Sequence, residues 1–529
     1  MMDTYQYPFV ITDDNNPPPG PVRTMAEWEK LSGIQITWTA QTTILRQIVD
    51  YAQEEGLVYI ICNDSNTVRN NLLNNGVPLT NVKFLLTGYN SIWCRDYGPW
   101  TVYSNVMDTI RIIDWIYNRP RPLDDVTPVF ISNYLGIPIH RTLQSPNDLV
   151  NTENAPGNPY GVSAKTEAQI DAIMNNYMGI SRYIKMETLP YDVIHHIDMH
   201  MKLLDEETLL VGQYPPGVAD GPQIEANLQY VLNNFQTCFG RPFKVVRIPM
   251  PPENGQYPNT GGDYRTYTNS VFVNKTVIVP TYELRYDTTA LRIYREALPG
   301  YKIVGINCNS IIPSLGAIHC ITKEIGVPEP VFISHAKLLN TDNTSTPYQV
   351  KAYIKTKSGV ANAKVFWRTD TTMAYNQVNM SAAGDTFTAS IPPQSLGTSV
   401  FYYVSATSVS GKTVTKPLPA PAGYIRFEVD NATSITGTNG TVHGYSLAQN
   451  YPNPFNPTTV INFSIPVNGF VELKVYDLTG RLVKTLLNDM KSAGTYNVEF
   501  NAEEIPSGVY FYKITTDNFT EVKKMMLLK

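Results

Sequence analysis

Hydrophobic and polar positions follow different patterns in successive parts of the chain. Between residues 20 and 328, apolar residues recur at helical spacing in TTILRQIVDYAQEEG (42–56). They form short continuous runs in LVYIIC (57–62) and VKFLLTG (82–88). Helical segments that alternate with short buried strands predict an α/β domain.

After residue 330 the pattern changes to strict alternation of apolar and polar residues over short segments. The clearest of these segments are YQVKAYIKT (348–356), AKVFWRT (363–369), TFTASIP (386–392) and SVFYYVSATSVSG (399–411). Alternation of this length, interrupted by turn residues, predicts a β-sandwich of immunoglobulin or fibronectin type. The Cys…Trp…Cys pattern of antibody domains is absent from this region.

A polar stretch rich in Gly, Thr and Asn (430–444) has the composition of a flexible linker. Beyond it, LAQNYPNPFNPTTVINFSIP (447–466), VELKVYDLTGRLVKTLLN (471–488) and SGVYFYKITT (507–516) predict a small all-β module that carries no catalytic residues. The sequence therefore predicts four parts: a catalytic domain (1–328), a sandwich (329–430), a linker (431–445) and a terminal module (446–529).

Composition narrows the functional classes. The chain has 529 residues, too many for one core, and its formal net charge of −5 offers no electrostatic reason to bind nucleic acid. Five cysteines at scattered spacings, with no CxxC, indicate neither a disulfide framework nor a zinc knuckle. No window reaches the roughly 18 apolar residues of a membrane helix. The first twenty residues lack the regions of a signal peptide, so we expect none in this chain.

An acid surrounded by aromatic residues is the first candidate for chemistry. In SIWCRDYGPW (91–100), Asp96 follows Arg95 and lies between aromatic residues. A carboxylate supplies charge for a planar cation, and the rings stack and exclude water. Taken alone, the segment favours a loop acid paired with Arg95.

The segment YDVIHHIDMHMKLL (191–204) alternates clearly. If it is extended, His196, Asp198, His200 and Lys202 share one face. A histidine and a carboxylate side by side suit acid–base chemistry. The alternative is a metal site formed by His196, Asp198 and His200.

Two further segments contain candidate reactive residues. In NTGGDYRTYTNS (259–270) a Gly-Gly pair allows close backbone approach, and Asn269 precedes an apolar strand. In PSLGAIHCITKEIG (313–326), Cys320 by itself is more typical of a buried core thiol. Two acids, a histidine, an asparagine and a cysteine nevertheless suit nucleophilic substitution at a guanidinium carbon.

The motifs WCRDYGPW, HIDMHMKLL, NTGGDYRTYTNS and GAIHCITKEI, in this order, resemble the agmatine deiminase and bacterial peptidylarginine deiminase family. The resemblance implies a pentein fold, a fivefold pseudosymmetric α/β propeller, and chemistry that uses no metal or cofactor. Cys320 is then expected to be the nucleophile and His196 the general acid/base. Asp96 and Asp198 would bind the guanidinium group, with Asn269 as a further active-site residue. Trp93 and Ile194 would contact the substrate.

Two arginines bear on which substrate is used. In IYNRPRPLDD (116–125), Arg119 and Arg121 would face the same way on an extended segment. The pair resembles the arginines with which bacterial peptidylarginine deiminases hold the carboxylate of a C-terminal arginine, whereas agmatine has no carboxylate. The alternative is that both arginines pair with Asp124 and Asp125. One departure from the family is that 139–159 contains no GGNY…DG-like segment, which affects the expected rim of the pocket.

The terminal module resembles the C-terminal sorting domain of the type IX secretion system through YPNPFNP, VYDLTGRLV and SGVYFYKI. This resemblance implies contact with the secretion machinery and a secreted or surface-attached protein. We therefore expect a deiminase that converts C-terminal peptidyl-arginine to citrulline. The alternatives are an agmatine deiminase that forms N-carbamoylputrescine and an inactive surface binding protein.

Overall fold

A computed structural model describes residues 15–105, 107, 109–117, 119–142, 165–429, 436–438, 445–467, 469–491 and 494–529. The helices of the first domain are α1 (Thr42–Gln53), α2 (Ser65–Asn74), α3 (Cys94–Tyr97), α4 (Pro122–Asp125), α5 (Thr127–Leu135), α6 (Glu167–Met178), α7 (Gly221–Asn234) and α8 (Leu284–Ala297). Its strands are β1 (Val22–Thr24), β2 (Leu31–Thr37), β3 (Leu57–Cys62), β4 (Val82–Leu86), β5 (Trp100–Ser104), β6 (Thr109–Asp114), β7 (Ile139–Arg141), β8 (Met201–Leu203), β9 (Thr208–Gln213), β10 (Lys244–Pro249), β11 (Val271–Val273), β12 (Thr276–Thr281), β13 (Lys302–Asn307) and β14 (Lys323–Gly326). The helix predicted from residue 42 and the two strands predicted from residues 57 and 82 are confirmed.

Within the described residues, the first domain contains four separate small sheets. Their strand orders are β14-β2-β3-β4, β1-β5-β6-β7, β10-β9-β8 and β11-β12-β13. Parallel neighbours such as β9 and β10, or β12 and β13, are joined by a helix, α7 or α8. The α/β prediction is confirmed, whereas the fivefold propeller stays a prediction.

An antiparallel strand pair occurs in each of the four sheets. The strands β5, β8, β11 and β14 each pair antiparallel with a neighbour in their own sheet. The four sequence motifs immediately precede these four strands: Asp96 lies before β5, Asp198 before β8, Asn269 before β11 and Cys320 before β14. β8, β11 and β14 are edge strands of their sheets, whereas β5 lies between β1 and β6. Each motif therefore lies just before a strand with an antiparallel neighbour.

The sandwich region contains β15 (Phe332–His335), β16 (Tyr348–Lys355), β17 (Val360–Arg368), β18 (Asn376–Asn379), β19 (Ser381–Ala383), β20 (Thr386–Ile391), β21 (Thr398–Ser408), β22 (Thr413–Lys416) and β23 (Ile425–Val429). They form a four-stranded and a five-stranded sheet around one apolar core. The predicted strands are confirmed, because alternate residues of β16 are buried in that core. The immunoglobulin-type topology stays a prediction.

The terminal region contains β24 (Thr436–Thr438), β25 (Ser446–Leu447), β26 (Thr458–Ile465), β27 (Gly469–Tyr476), β28 (Leu482–Lys491), β29 (Gly494–Asn501), β30 (Gly508–Thr516) and β31 (Thr520–Leu527). Two four-stranded sheets enclose a separate core. Most of the predicted linker, and most of the segment that departs from the family motif, lie outside the described residues. The separate cores of the sandwich and of the terminal region support the proposed division of the chain, whose boundaries remain predictions. None of the described helices combines the length and apolar character needed to span a bilayer.

Candidate active site

Cys320 lies at the centre of a compact polar cluster. It belongs to a 3-10 turn, His319–Ile321, and only 5% of its surface is exposed. Its Sγ lies 3.2 Å from Nδ2 of Asn269 and 3.9 Å from Oδ2 of Asp198. The Cys320 sulfur thus has a carboxylate and an amide donor as neighbours. The thiol of an ordinary apolar core has no such polar groups beside it.

Asn269 links the thiol to the carboxylate. Its Nδ2 donates to Asp198 Oδ2 at 2.8 Å, and its Oδ1 accepts from the backbone N–H of His319 at 2.9 Å. Because the amide oxygen is held by a backbone donor, the amide nitrogen must face Asp198 and Cys320. The side chain is fully buried, so this orientation is fixed.

The extended conformation predicted for the histidine-rich segment is wrong. Ile197–Met199 form a 3-10 turn that begins after His196, and β8 starts only at Met201. Successive side chains in a 3-10 turn are rotated by about 120° instead of the 180° of a strand, so the four polar residues do not share one face.

The turn separates the residues of the predicted metal alternative. Single side-chain atoms of His196, Asp198 and Cys320 lie within 4.8 Å of one another, but His200 is not part of this group. His200 is buried, and its ring nitrogens have no hydrogen-bond partner within the described chain. Burial lowers the pKa of His200 to about 4, despite the opposing charge of Asp198. The structure thus places His196 and Asp198, but not His200, at the thiol.

Sequence reasoning gave no role to His319, which contacts two carboxylates. Its Nδ1 lies 2.5 Å from Asp198 Oδ2, and its Nε2 lies 2.8 Å from Glu27 Oε1. Each contact is a hydrogen bond only if that nitrogen carries a proton, since carboxylates accept and do not donate. His319 could have been found from the sequence, because it immediately precedes Cys320 in the motif. The sequence around Glu27 contains no motif that indicates the site.

These contacts decide the charge of Asp198. Burial raises the pKa of Asp198, but the charge and hydrogen bond of His319, with help from His196 and Arg95, outweigh it and lower that pKa to about 2. Glu27 is half-buried, and the charges of Lys202 and His319 hold its pKa well below the usual value against the opposing effect of burial. Asp198 is therefore an anion at neutral pH, and both donors from His319 and Asn269 reach its Oδ2. Its Oδ1 makes no such contact in the described part of the chain.

Asp96 is not paired with its neighbour Arg95, so that alternative is wrong. Arg95 instead forms a buried bidentate pair with Glu324, with both N···O distances 2.7 Å. Asp96 lies at the end of α3, half-buried, where its carboxyl interacts electrostatically with His196, Asp198 and Arg119. Burial raises the pKa of Asp96, and the charge of Asp198 adds to this effect while the cationic groups oppose it.

The Trp93 ring and the Cys320 thiol both lie close to Gly316. A Cβ added at Gly316 would lie 2.6 Å from the Trp93 ring and 3.1 Å from Cys320 Sγ, so only glycine fits between them. This close approach supports the expected position of Trp93 in the pocket. Ile194 is half-buried and packs against the main core, and its backbone N–H donates to Asp192. Contact of Ile194 with substrate stays a prediction.

The segment that carries the arginine pair is bent. A hydrogen bond from Arg121 N to Arg119 O, 2.7 Å long, bends the segment, so the predicted extended conformation is wrong. Arg119 is exposed and interacts electrostatically with Asp96, and Arg121 donates to the Tyr117 hydroxyl at 2.9 Å.

The two acids proposed as alternative partners of these arginines are engaged elsewhere. Asp124 accepts from Asn90 N and from Ser91, and Asp125 accepts from Tyr117 N. In the described contacts, therefore, neither acid serves as a carboxylate partner for Arg119 or Arg121.

Cys320 is protonated in the ligand-free site. Burial raises the pKa of its thiol well above the usual value, and the charges of Asp198 and Asp96 raise it further, against the opposing hydrogen bond from Asn269. A cationic ligand held by the same carboxylates would offset their charge and favour the thiolate.

Asp96→Asn is expected to speed alkylation of Cys320 in the ligand-free protein. The substitution removes one carboxylate that raises the thiol pKa, and each unit of pKa decrease gives roughly tenfold more thiolate at a pH below both values. We expect iodoacetamide labelling of the peptide containing Cys320 to be severalfold faster at pH 8, measured by mass spectrometry. In the unsubstituted protein the rate should rise by about tenfold per pH unit from pH 7 to 9, because the thiol remains largely protonated there.

Asp171→Asn, at a half-exposed acid on α6 that pairs with Lys185, is the matched control and should leave the labelling rate unchanged. Labelling of Cys320 in the unsubstituted protein that levels off below pH 9, or an unchanged rate in Asp96→Asn, would contradict the assignment.

Comparison with known proteins relates the first domain to guanidine-modifying enzymes. The family described as Porphyromonas-type peptidyl-arginine deiminase matches residues 23–120 and 148–326. A protein assigned as an agmatine deiminase from Vibrio parahaemolyticus is 23% identical over 352 residues, which cover 57% of this chain and 95% of the relative. A similarly assigned protein from Yersinia pestis is 25% identical over 286 residues, 46% of this chain and 77% of that protein.

Two solved structures share the fold. A crystal structure of a protein assigned as an arginine deiminase from Porphyromonas gingivalis has a TM-score of 0.50 at 19% identity, covering 58% of this chain and 98% of its own. An X-ray structure assigned as an agmatine deiminase has a TM-score of 0.51 at 17% identity, covering 58% and 96%. At the other end of the chain, the secretion system C-terminal sorting domain matches residues 449–528, which confirms the prediction for this module.

Proposed function

The chain belongs to the family of Porphyromonas-type peptidyl-arginine deiminases, and from this premise we propose that it converts peptidyl-arginine, preferentially at a C-terminus, to citrulline and ammonia. The wider class is established: it is a hydrolase of guanidino C–N bonds with deiminase-type activity. The proximity of His196, Asp198 and Cys320 within 4.8 Å is the observation on which the proposed chemistry rests.

In the first half of the proposed reaction, Asp96 and Oδ1 of Asp198 accept N–H groups of the guanidinium and orient its plane. His196 takes the proton from the Cys320 thiol, and the sulfur attacks the guanidinium carbon to give a tetrahedral intermediate. The same histidine then returns this proton to one amino group, so ammonia leaves as the C–N bond breaks. A cationic thiouronium remains, joined to Sγ.

In the second half, His196 takes a proton from water as the oxygen attacks the thiouronium carbon. Collapse of the second tetrahedral intermediate breaks the C–S bond, and the hydroxyl proton is lost as the carbonyl forms. The hydroxyl proton passes to the departing sulfur and regenerates the Cys320 thiol. The proton held by His196 passes to ammonia, so the guanidinium cation and water give citrulline and ammonium. Trp93, packed on Gly316 beside the sulfur, would shield the planar reacting group from water.

The position of Arg119 favours a peptide with a C-terminal arginine over agmatine as the substrate. Its charge acts on Asp96, so it lies near the guanidinium subsite, where a substrate carboxylate would reach it. The decarboxylated end of agmatine is an amine, which two neighbouring arginines would repel. Agmatine remains the second candidate because the relatives from Vibrio and Yersinia are assigned as agmatine deiminases.

The sorting domain points to type IX secretion and an extracellular or cell-surface location. We propose further that the protein is attached to the outer membrane through processing of this module. A peptide substrate outside the cell agrees with such a location, whereas polyamine synthesis from agmatine is usually intracellular.

The double substitution Arg119→Ala with Arg121→Ala tests the substrate assignment. We expect kcat/KM for a peptide with a free C-terminal arginine to fall by roughly 10- to 100-fold, since each lost charge-assisted contact weakens binding by about 1.5–3 kcal/mol, and the partial exposure of the pair reduces this effect. The same peptide with an amidated C-terminus, and agmatine, should be affected less than about threefold. Colorimetric citrulline and N-carbamoyl product assays provide the readout.

Arg241→Ala, which removes a cation away from the site, serves as the control. Equal losses on free-acid peptide and agmatine would contradict the carboxylate-binding role. Turnover of agmatine alone by the unsubstituted protein would favour the second candidate, and the absence of turnover on every guanidino substrate would favour an inactive surface binding protein.

A further inference from the structure

His319 has a hydrogen-bond partner at each ring nitrogen and at both backbone polar groups. Its Nδ1 and Nε2 lie 2.5 Å from Asp198 Oδ2 and 2.8 Å from Glu27 Oε1. Its backbone N–H donates to Asn269 Oδ1 at 2.9 Å, and its carbonyl oxygen accepts from Arg95 Nε at 3.1 Å. The residue is 7% exposed, so these contacts fix the orientation of the ring.

The two ring contacts determine which nitrogens of His319 carry a proton. Burial raises the pKa of the Asp198 and Glu27 carboxyl groups, but cationic neighbours outweigh it and lower both pKa values, so both groups are anions at neutral pH. A carboxylate has only acceptors, and a neutral imidazole has one donor and one lone pair. In a neutral ring that lone pair would face an anionic oxygen at hydrogen-bond distance. Both nitrogens therefore carry a proton, and the ring is an imidazolium cation.

Glu27 binds two cationic side chains, one with each of its oxygens. Oε1 accepts from His319, and Oε2 accepts from Nζ of Lys202. Glu27 lies between β1 and β2, whereas Lys202 belongs to β8 and is 6% exposed. One carboxylate therefore connects the beginning of the domain to the strand that follows the catalytic turn and to the 3-10 turn that carries Cys320.

His319 acts on the reaction through Asp198. Among the described contacts, the polar side-chain neighbours of Cys320 Sγ are Asn269 and Asp198, and the His319 ring is not one of them. Each ring nitrogen donates to a carboxylate, so neither is available to exchange a proton with the thiol. The contact from Nδ1 instead holds Oδ2 of Asp198, which leaves Oδ1 of the same carboxylate for a substrate cation.

We propose that Glu27 and His319 are positioning residues: Glu27 keeps the His319 ring doubly protonated, and this cation orients Asp198 so that its Oδ1 faces the guanidinium group. The inference rests on the proposed function, in which Asp198 binds that group. It also separates the roles of two histidines, because His196 transfers protons during the reaction whereas His319 retains both of its own. The carboxylate, the imidazolium and the second carboxylate form a continuous chain of charge-assisted hydrogen bonds, which are stronger than neutral ones.

The charge of His319 is tested by NMR of the full chain labelled with ¹⁵N-histidine at neutral pH. We expect a proton on each His319 ring nitrogen, with the signals assigned by their absence from the spectrum of His319→Asn. Glu27→Gln should remove the Nε2 proton, because Lys202 takes the amide oxygen as its acceptor and the amide N–H groups then face Nε2. Asp171→Asn, at a half-exposed acid on α6, should keep both signals.

The positioning of Asp198 is tested through KM for agmatine and for a peptide with a C-terminal arginine. His319→Leu removes the donor and should raise KM for both substrates by roughly tenfold or more, since both carry the same guanidinium group. His319→Asn keeps an N–H donor near the position of Nδ1 and should recover part of the loss. Glu27→Gln keeps the shape of the side chain and should raise KM severalfold, which provides the test if His319→Leu does not fold. A merely structural role would lower Tm and leave KM unchanged.

Two results would overturn the proposal. One is a single protonated nitrogen on the His319 ring of the unsubstituted protein. The other is an unchanged KM for both substrates in His319→Leu and in Glu27→Gln. If the unsubstituted protein converts no guanidino substrate, the proposed reaction is wrong. The inference is then decided by the NMR spectra and by the dissociation constant of agmatine, measured by calorimetry on the same variants.

Discussion

Cys320→Ala is expected to reduce citrulline and ammonia formation by at least about 10⁴-fold, to the background of the assay. Removal of the nucleophile leaves the guanidinium-binding carboxylates but no group that can form the covalent intermediate, and comparable losses are typical of nucleophile deletions in covalent catalysis. Sγ has Asn269 and Asp198 as close polar neighbours, and no second thiol replaces it there. Ammonia release from a peptide with C-terminal arginine provides the measurement.

Cys238→Ala is the control for this experiment, because Cys238 is the exposed thiol among the five free cysteines. It should retain full activity. Circular dichroism and Tm should show that Cys320→Ala folds, since alanine in place of a small thiol deletes one atom. Turnover that persists in Cys320→Ala would exclude Cys320 as the nucleophile, and trapping of a covalent adduct at another residue would identify its replacement.

Asp198→Asn is expected to lower kcat/KM by about 10³-fold or more. The substitution keeps the shape of the side chain but removes the anion that faces the substrate cation and interacts with His319 at 2.5 Å. Removing one member of a buried charged pair costs about 3–5 kcal/mol, equivalent to roughly 10²–10⁴ in a rate or binding constant. The loss should appear in KM as weaker guanidinium binding and in kcat as poorer orientation of the reacting carbon.

The same variant should be less stable, because His319 keeps its contact with Glu27 while losing its partner on the other side. A lower Tm with kcat and KM both unchanged would indicate that Asp198 only supports the fold. Asp171→Asn supplies the charge-matched control and should change neither constant. The experiment is best made on one peptide at one pH, since Asp198 remains ionised throughout the neutral range, with a pKa of about 2.

Local sequence patterns identified part of the secondary structure. Helical spacing from residue 42 predicts α1, and the apolar runs that follow become β3 and β4. Alternation in the sandwich predicts β16 because one face of each strand packs on a core and the other faces solvent. These predictions succeed because each depends on the burial of a single short segment.

The alternation of polar and apolar residues predicted a strand in one segment where the structure has a tight turn. The segment around His196 and Asp198 has the alternating pattern of a half-buried strand, but Ile197–Met199 close into a 3-10 turn. A pattern of period two cannot be distinguished from a short irregular segment when the chain must bend to present its side chains at a site. The resemblance nonetheless selected His196, Asp198, Asn269 and Cys320, which the structure brings together.

The sequence by itself determined the order of domains, the chemical types of the reactive groups and the sorting module, because these depend on local composition and contiguous motifs. Only the tertiary structure decided which groups touch. It paired Arg95 with Glu324 instead of Asp96 and inserted His319 between Asp198 and Glu27. The burial and charge pairing of these residues depend on contacts between segments up to 292 residues apart, such as Glu27 and His319. A local sequence pattern cannot predict such contacts.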